Sequence, residues 1–176
     1  PNLMLGCEEL EVVPHRLEEG IWLENTNTLL PWNARLDDLK QIGSPEVRRE
    51  SDRTVLHWRK RRWLDGLECA ISAMFYHNSE IRSNAQDTEK GLRLVNYHIY
   101  LPSEENARES YVRIKDALVQ RLGKPTADHA DYRYGLPLAE WDFEQVLVVL
   151  MVFERFGEYL VGEVWRKPLP QWRAQS

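Results

Sequence analysis

The chain has 176 residues, 43% of them hydrophobic, with seven Trp and seven Tyr and a formal net charge of −5. This length suits one well-packed domain, and the apolar content excludes an intrinsically disordered chain. The negative charge argues against a nucleic-acid-binding protein, because such a protein presents a basic face to phosphates.

The negative charge is concentrated at the start of the chain. Residues 1–30 contain six Glu and one Arg, whereas residues 31–176 contain 22 acidic and 22 basic side chains. A segment of this charge attracts a basic protein partner, and its candidate contacts are Glu8, Glu9, Glu11, Glu18 and Glu19. A solvated segment that only aids solubility is the alternative. If the glutamates are not involved, the candidates are exposed tryptophans, namely Trp22, Trp32 and Trp172.

Two cysteines, Cys7 and Cys69, are too few for a disulfide framework. The most apolar run, residues 146–153, is strand-sized and far shorter than a membrane span. No secretory signal peptide is visible. We therefore expect a cytoplasmic protein without a membrane partner.

The first half of the chain predicts a short helix followed by a hairpin. Apolar residues recur at near-helical spacing over residues 31–42, and Gly43-Ser44-Pro45 is a typical helix end. Residues 53–63 and 67–76 have strand composition, and they flank Asp65-Gly66, a dipeptide favoured in tight hairpin turns. The preceding residues, 1–30, are predicted to be irregular.

The second half predicts the same order of elements. A strand around residues 95–101 follows the polar segment 77–91, and Ser103 is predicted to cap a helix that ends at Gly123-Lys124-Pro125. This helix is predicted to have one apolar stripe, formed by Ala107, Tyr111, Ile114, Leu118 and Leu122. Further strands are expected near residues 130–134, 138–153 with a turn inside, and 158–166. Residues 146–153 are apolar at every position, which indicates a strand buried on both faces.

The two halves share a spacing that predicts an internal duplication. Trp63 and Phe75 are separated by the same distance as Trp141 and Phe153. We therefore predict an α+β fold in which two pseudo-repeated units, each a helix followed by antiparallel strands, form one domain with both helices packed on an antiparallel sheet. The predicted parts are the acidic segment 1–30, unit 31–76, loop 77–91, unit 92–166 and tail 167–176.

Residues typical of catalysis are sparse in this sequence. The five histidines never occur at metal-ligand spacing, and no Gly-rich phosphate loop or Gly-x-Ser-x-Gly turn is present. We therefore predict no metal, no cofactor and no enzymatic activity. The alternative is an enzyme whose groups come from separate strands, with Glu68, His98 and Glu154 as candidates.

The run Trp58-Arg59-Lys60-Arg61-Arg62-Trp63 is a dense basic cluster. Aromatic residues beside cations could stack on nucleic-acid bases. The alternative is an exposed edge strand, because charged side chains on an edge discourage sheet-to-sheet aggregation. The isolation of the run favours the edge strand.

Four short motifs give the chain a family resemblance: Leu30-Pro31-Trp32, Gly43-Ser44-Pro45, Asp65-Gly66-Leu67-Glu68-Cys69 and Gly123-Lys124-Pro125. In these motifs and in its architecture the chain resembles the small bacterial immunity proteins of toxin–immunity systems. The resemblance implies a protein that neutralises a cognate toxin by direct binding, often with an acidic surface against a basic enzyme. A secretion chaperone for an effector protein is the alternative. A toxin gene beside this one would favour immunity, and an effector secretion locus would favour the chaperone.

Overall fold

The computed structural model describes residues 16–77, 94–101 and 106–174. Thirteen helices and strands occur there. In chain order they are β1 (Gly20–Leu23), β2 (Thr28–Pro31), α1 (Leu36–Lys40), β3 (Glu46–Arg49), β4 (Arg53–Trp63), β5 (Leu67–Tyr76), β6 (Asn96–Tyr100), α2 (Ala107–Leu122), β7 (Ala127–Arg133), β8 (Leu136–Asp142), β9 (Val146–Glu154), β10 (Glu158–Arg166) and α3 (Gln171–Ala174).

Eight of the strands form one antiparallel sheet in the order β3-β4-β5-β6-β10-β9-β8-β7. Strands β1 and β2 form a separate hairpin. The predicted turn at Asp65-Gly66 joins β4 to β5, and both residues have a positive φ, 57° and 84°. The α+β class with a large antiparallel sheet is confirmed.

The first face of the sheet holds the main hydrophobic core. Along β5, Ile71, Ala73 and Phe75 point into this core, which the β1–β2 hairpin, α1 and α2 cover. The predicted apolar stripe of α2 is confirmed, because its five members are all buried: Ala107, Tyr111, Ile114, Leu118 and Leu122. This helix lies against β8, β9 and β10.

Several local predictions differ from the structure. The helix predicted over 31–42 contains only Leu36–Lys40, with Arg35 at its N-cap, and Pro31 instead ends β2. The paired strands β1 and β2 also correct the irregular structure predicted for residues 1–30. The second helix begins at Ala107, where the Asn106 side chain accepts a hydrogen bond from the Glu109 N–H at 3.0 Å. The predicted cap, Ser103, lies outside the described residues.

The second face of the sheet explains why residues 146–153 are apolar throughout. Val149 and Leu147 point away from the main core and pack with Leu138 and Trp165 in a smaller cluster. Leu169, beyond the last strand, packs against the same cluster. Strand β9 is therefore buried on both faces, as predicted.

Each half of the sheet contains one tryptophan that is hydrogen-bonded to a backbone carbonyl just after the preceding helix. The indole N–H of Trp58 donates to the Ile42 carbonyl at 2.7 Å, and that of Trp141 donates to the Gly123 carbonyl at 2.8 Å. Trp63, which the spacing matched to Trp141, lies instead opposite Leu67 beside the β4–β5 turn. Phe75 is fully buried, whereas Phe153 is 39% exposed. The Trp-to-Phe spacing therefore does not identify residues in equivalent environments.

We predict that Trp141→Ala lowers the free energy of unfolding by about 3–5 kcal/mol, because it removes a buried aromatic ring and leaves the Gly123 carbonyl without its donor. Urea denaturation monitored by circular dichroism measures the change. Tyr134→Ala is the control, since Tyr134 is 93% exposed, and it is expected to change stability by less than about 0.5 kcal/mol. A loss below about 1 kcal/mol for Trp141→Ala would contradict the prediction.

Candidate functional site

Exposed aromatic side chains are concentrated at one end of the sheet. Of the nine large hydrophobic side chains exposed among the described residues, five belong to the β7–β8 and β9–β10 hairpins. These five, here called the tip surface, are Tyr132, Tyr134, Phe153, Phe156 and Tyr159. Exposed apolar patches of this kind mark interaction sites more often than they serve stability.

Two residues of the tip surface adopt a backbone conformation that is unfavourable for aromatic residues. Tyr134 has φ 55° and Phe156 has φ 58°, and left-handed geometry costs a non-glycine residue about 1 kcal/mol or more. Their side chains are 93% and 99% exposed, so packing within the chain does not offset this cost. The stability of the fold therefore does not explain why these two positions are aromatic.

The two hairpins of the tip surface are held together from the first turn of α2. The Arg108 guanidinium donates to the Glu158 carboxylate at 2.9 Å and to the Gly135 carbonyl at 2.8 Å. These hydrogen bonds from Arg108 hold the pKa of the Glu158 carboxyl below its usual range. The rings of Phe153 and Tyr159 also contact each other, with centroids 5.6 Å apart. The tip surface is therefore organised before any partner binds.

A groove of about 410 Å³ lies along the tip surface. Its walls include Tyr132, Tyr134 and Phe153. Exposed charges of both signs surround the tips, with Asp131 and Glu154 as acids and Arg133 and Arg155 as bases. Because these charges balance, the exposed aromatic side chains are the feature that distinguishes this surface.

The predicted acidic contacts are only partly within the described residues, because Glu8, Glu9 and Glu11 lie outside them. Glu19 forms an exposed ion pair with Arg16 at 2.6 Å, and this hydrogen bond lowers the pKa of Glu19. The same guanidinium lies 5.0 Å from the ring centre of Trp22. Glu18 is half-buried. The charge of Glu19 is thus already paired within the chain.

The structure places the predicted tryptophans in different environments. Trp32 is 6% exposed, and its indole N–H donates to the Leu17 carbonyl at 2.7 Å. This buried position corrects the expectation of an exposed contact at Trp32, because its ring packs against Tyr97, with the ring centroids 5.1 Å apart. Trp22 is half-buried. Trp172 is 42% exposed and lies edge-on against Trp165, with ring centres 5.6 Å apart.

The basic run is largely engaged in contacts within the chain. Arg59 pairs with Glu46 at 2.8 Å, and Arg61 donates to the Gly43 carbonyl at 3.0 Å. Strand β4 extends beyond its partner β3 here, and the Glu24 N–H donates to the exposed Arg62 carbonyl at 3.0 Å. These contacts favour the edge-strand interpretation.

Burial raises the pKa of the Cys69 thiol to about 12, which argues against a nucleophilic role for this cysteine.

A polar row crosses the second face of the sheet. His57, Ser72, His98 and Glu163 lie directly opposite one another on β4, β5, β6 and β10. His57 Nδ1 is 2.7 Å from Ser72 Oγ, and His98 Nε2 is 3.8 Å from Glu163 Oε1. The Trp165 indole N–H donates to Glu163 Oε2 at 2.8 Å.

The enzyme alternative named His98 together with Glu68 and Glu154. Glu68 and Glu154 are exposed near the ends of β5 and β9, while the residues paired with His98 are Ser72 and Glu163. Ser72 and Glu163 were not among the candidate residues predicted from the sequence. The alternation of these two residues with apolar neighbours can be read from the sequence. The pairing of β6 with β10, which places Glu163 opposite His98, cannot.

Burial controls the ionisation of the polar row. It lowers the pKa of His98 to about 4, with a smaller contribution from Arg53, and it raises the pKa of Glu163. His98 is therefore neutral at pH 7.

Among the described residues, no group of three or more His, Cys, Asp or Glu side chains could hold a metal ion. No helix in these residues is long and apolar enough to cross a membrane.

We predict that neutral, buried His98 makes the fold sensitive to acid. The pKa of His98 falls from 6.5 to about 4 on folding, so its contribution to stability is complete above pH 6.5 and is lost as the pH falls toward 4. By pH 5 the loss amounts to about 2 kcal/mol. Urea titrations at pH 7.5 and pH 5 should show this loss in the wild type and not in His98→Gln.

The His98 comparison isolates one group because Glu163, Arg53 and Tyr100 are present in both proteins. His129→Gln, at an exposed position, is the control and should keep the wild-type pH dependence. Equal losses in the wild type and in His98→Gln would contradict the prediction.

No family model matches this chain, and no curated protein and no solved structure matches it either. Its similarity to immunity proteins stays a prediction from the sequence. The geometry of the tip surface and of the polar row therefore carries the information about function.

Proposed function

We propose that this chain is a non-enzymatic protein-binding module that contacts its partner through the tip surface. The observation that carries the proposal is the placement of Tyr134 and Phe156, which are almost fully exposed and have positive φ values. Aromatic residues are enriched among the few side chains that dominate binding energy at protein interfaces. The Arg108 hydrogen bonds support the proposal, because a preorganised surface loses less entropy on binding.

The family resemblance supplies the class of partner in this proposal. The chain acts as a cytoplasmic immunity protein, and its partner is a basic bacterial toxin domain. The two hairpin tips insert into a concave surface of the toxin and occlude its active site. The acidic N-terminal segment attracts the toxin from a distance, while the tip surface provides the lasting contact.

We also infer that the chain arose by internal duplication. Both halves follow a helix with four strands that run from a sheet edge to its centre, β3 to β6 and β7 to β10. In this proposal β6 belongs to the first half and not to the unit predicted over 92–166. The hydrogen bonds of Trp58 and Trp141 support an alignment of these two residues. In that alignment the polar turn 50–52 corresponds to the turn at Tyr134-Gly135. A turn without aromatic residues thus closes the corresponding β3–β4 hairpin. Closing the β7–β8 hairpin therefore does not require an aromatic residue at Tyr134.

We predict that Tyr134→Asn/Phe156→Asn weakens partner binding at least tenfold without destabilising the fold. Asn tolerates positive φ better than aromatic residues do, so stability is expected to stay equal or to rise by up to about 1 kcal/mol. The protein tested as partner is the product of the gene next to this one in the native host, and calorimetric titration measures its affinity. Val112→Ala, on the exposed face of α2, is the control, and it should bind like the wild type.

Retention of wild-type affinity by the double tip variant would remove the tip surface from the proposal. An effector protein as the bound neighbour would support the chaperone alternative. A catalytic conversion by the isolated chain, abolished by Ser72→Ala or His98→Gln, would support the enzyme alternative.

We predict that the acidic segment acts mainly on the association rate. Replacing Glu8, Glu9, Glu11, Glu18 and Glu19 by Gln should slow association with the basic partner at low salt and leave dissociation nearly unchanged. Stopped-flow mixing at 20 and 300 mM NaCl measures both rates. The difference between the variant and the wild type should shrink at the higher salt. Equal association rates at low salt would assign the segment to solubility alone.

A further inference from the structure

The C-terminal residues 167–174, here called the strap, lie across the second face of the sheet. The strap is fastened at its start, because the Lys167 N–H donates to the Gln145 carbonyl at 2.9 Å and the Lys167 ammonium pairs with Asp142. Leu169 then packs against the smaller apolar cluster. The strap therefore lies over the polar row without pairing as a strand of the sheet.

The end of the strap places an arginine against an aromatic ring and a buried carboxylate. The Arg173 guanidinium carbon lies 5.6 Å from the ring centre of Trp165, and the guanidinium is 4.0 Å from Glu163 Oε2. Trp172 lies edge-on to Trp165 and to Tyr76. An aromatic face beside a carboxylate is the chemistry that recognises a guanidinium group.

The floor of this region contains more polar groups than the strap uses. Asn96, on the same face of β6 as His98, is fully buried, and neither its amide oxygen nor its amide nitrogen has a hydrogen-bond partner in the described part of the chain. A buried amide without partners costs stability. Because the strap leaves both polar groups of Asn96 without partners among the described residues, it is an incomplete occupant of this floor.

We propose that Glu163, Trp165, Tyr76 and Asn96 form a recognition site for an arginine-bearing segment of a partner protein, and that the strap occupies this site within the chain. The occupant supplies a guanidinium to Glu163 and Trp165 and backbone amide groups to Asn96. A buried carboxylate on an acidic chain matches a basic partner in charge. The site is separate from the tip surface, and a partner reaches it by displacing the strap.

The test uses the full chain and a synthetic peptide of residues 169–174, capped at both ends and fluorescently labelled. In the wild type the covalently attached strap competes at high effective concentration, so binding is expected to be weak. Trp172→Ala/Arg173→Ala removes the competing side chains and should bind the peptide at least tenfold more tightly. Adding Glu163→Gln to that variant, or using a peptide with Arg173→Ala, should abolish this gain.

The proposal is overturned if the folded double variant binds the peptide no better than the wild type does, or if both peptides bind equally. If the double variant does not fold, Arg173→Ala alone is used with N-propylguanidinium as the probe. This ligand should raise the melting temperature of Arg173→Ala more than that of the wild type, and equal shifts would overturn the proposal. Unchanged peptide binding in Tyr134→Asn/Phe156→Asn would separate this site from the tip surface.

Discussion

The pairing of β6 with β10 is the contact on which the rest of the structure depends. It joins the four strands of the first half to the four strands of the second half, through Tyr97, His98 and Ile99 against Val164, Glu163 and Gly162. The approach is close, since a Cβ atom on Gly162 would lie 3.3 Å from the Ile99 carbonyl oxygen. On the first face, the Tyr97 hydroxyl donates to the Pro31 carbonyl and fixes the β1–β2 hairpin over this seam. The β6–β10 pairing therefore produces one continuous sheet with one main core beneath both helices.

The same seam creates the chemical contrast between the two faces of the sheet. The first face is filled by apolar side chains and helices, whereas the second face has His98 and Glu163 directly across the seam, with Ser72 next to His98. An apolar row at these positions would be expected to stabilise the fold as well or better. The second face therefore shares a property with the tip surface. In both places the residues present are not the ones that stability alone would select.

Local patterns in the sequence predicted what depends on neighbouring residues. The apolar stripe of α2, the turn at Asp65-Gly66 and the doubly buried β9 follow from spacing within one element. The Trp-to-Phe spacing does not mark equivalent positions because the two hairpins differ in length: β4 continues for five residues beyond Trp58 before its turn, whereas β8 ends one residue after Trp141. The polar row was not predictable, because β6 and β10 are far apart in the chain. The tips left a usable signal, since an aromatic residue directly before Gly in a turn occurs at Tyr134-Gly135 and at Phe156-Gly157.

The arrangement of the two candidate surfaces follows from how rigidly each is held. Arg108 bonds to both aromatic hairpins from the first turn of a well-packed helix, so the tip surface has one geometry before binding. The strap is instead an appended segment that is fastened at Lys167 but leaves Asn96 without hydrogen-bond partners in the part of the chain that the structure describes. A rigid surface favours tight association with a preformed pocket, whereas an appended segment that satisfies its site incompletely can be displaced. If both proposals hold, the two surfaces suit successive steps, in which the tips dock first and the docked partner then competes with the strap for Glu163.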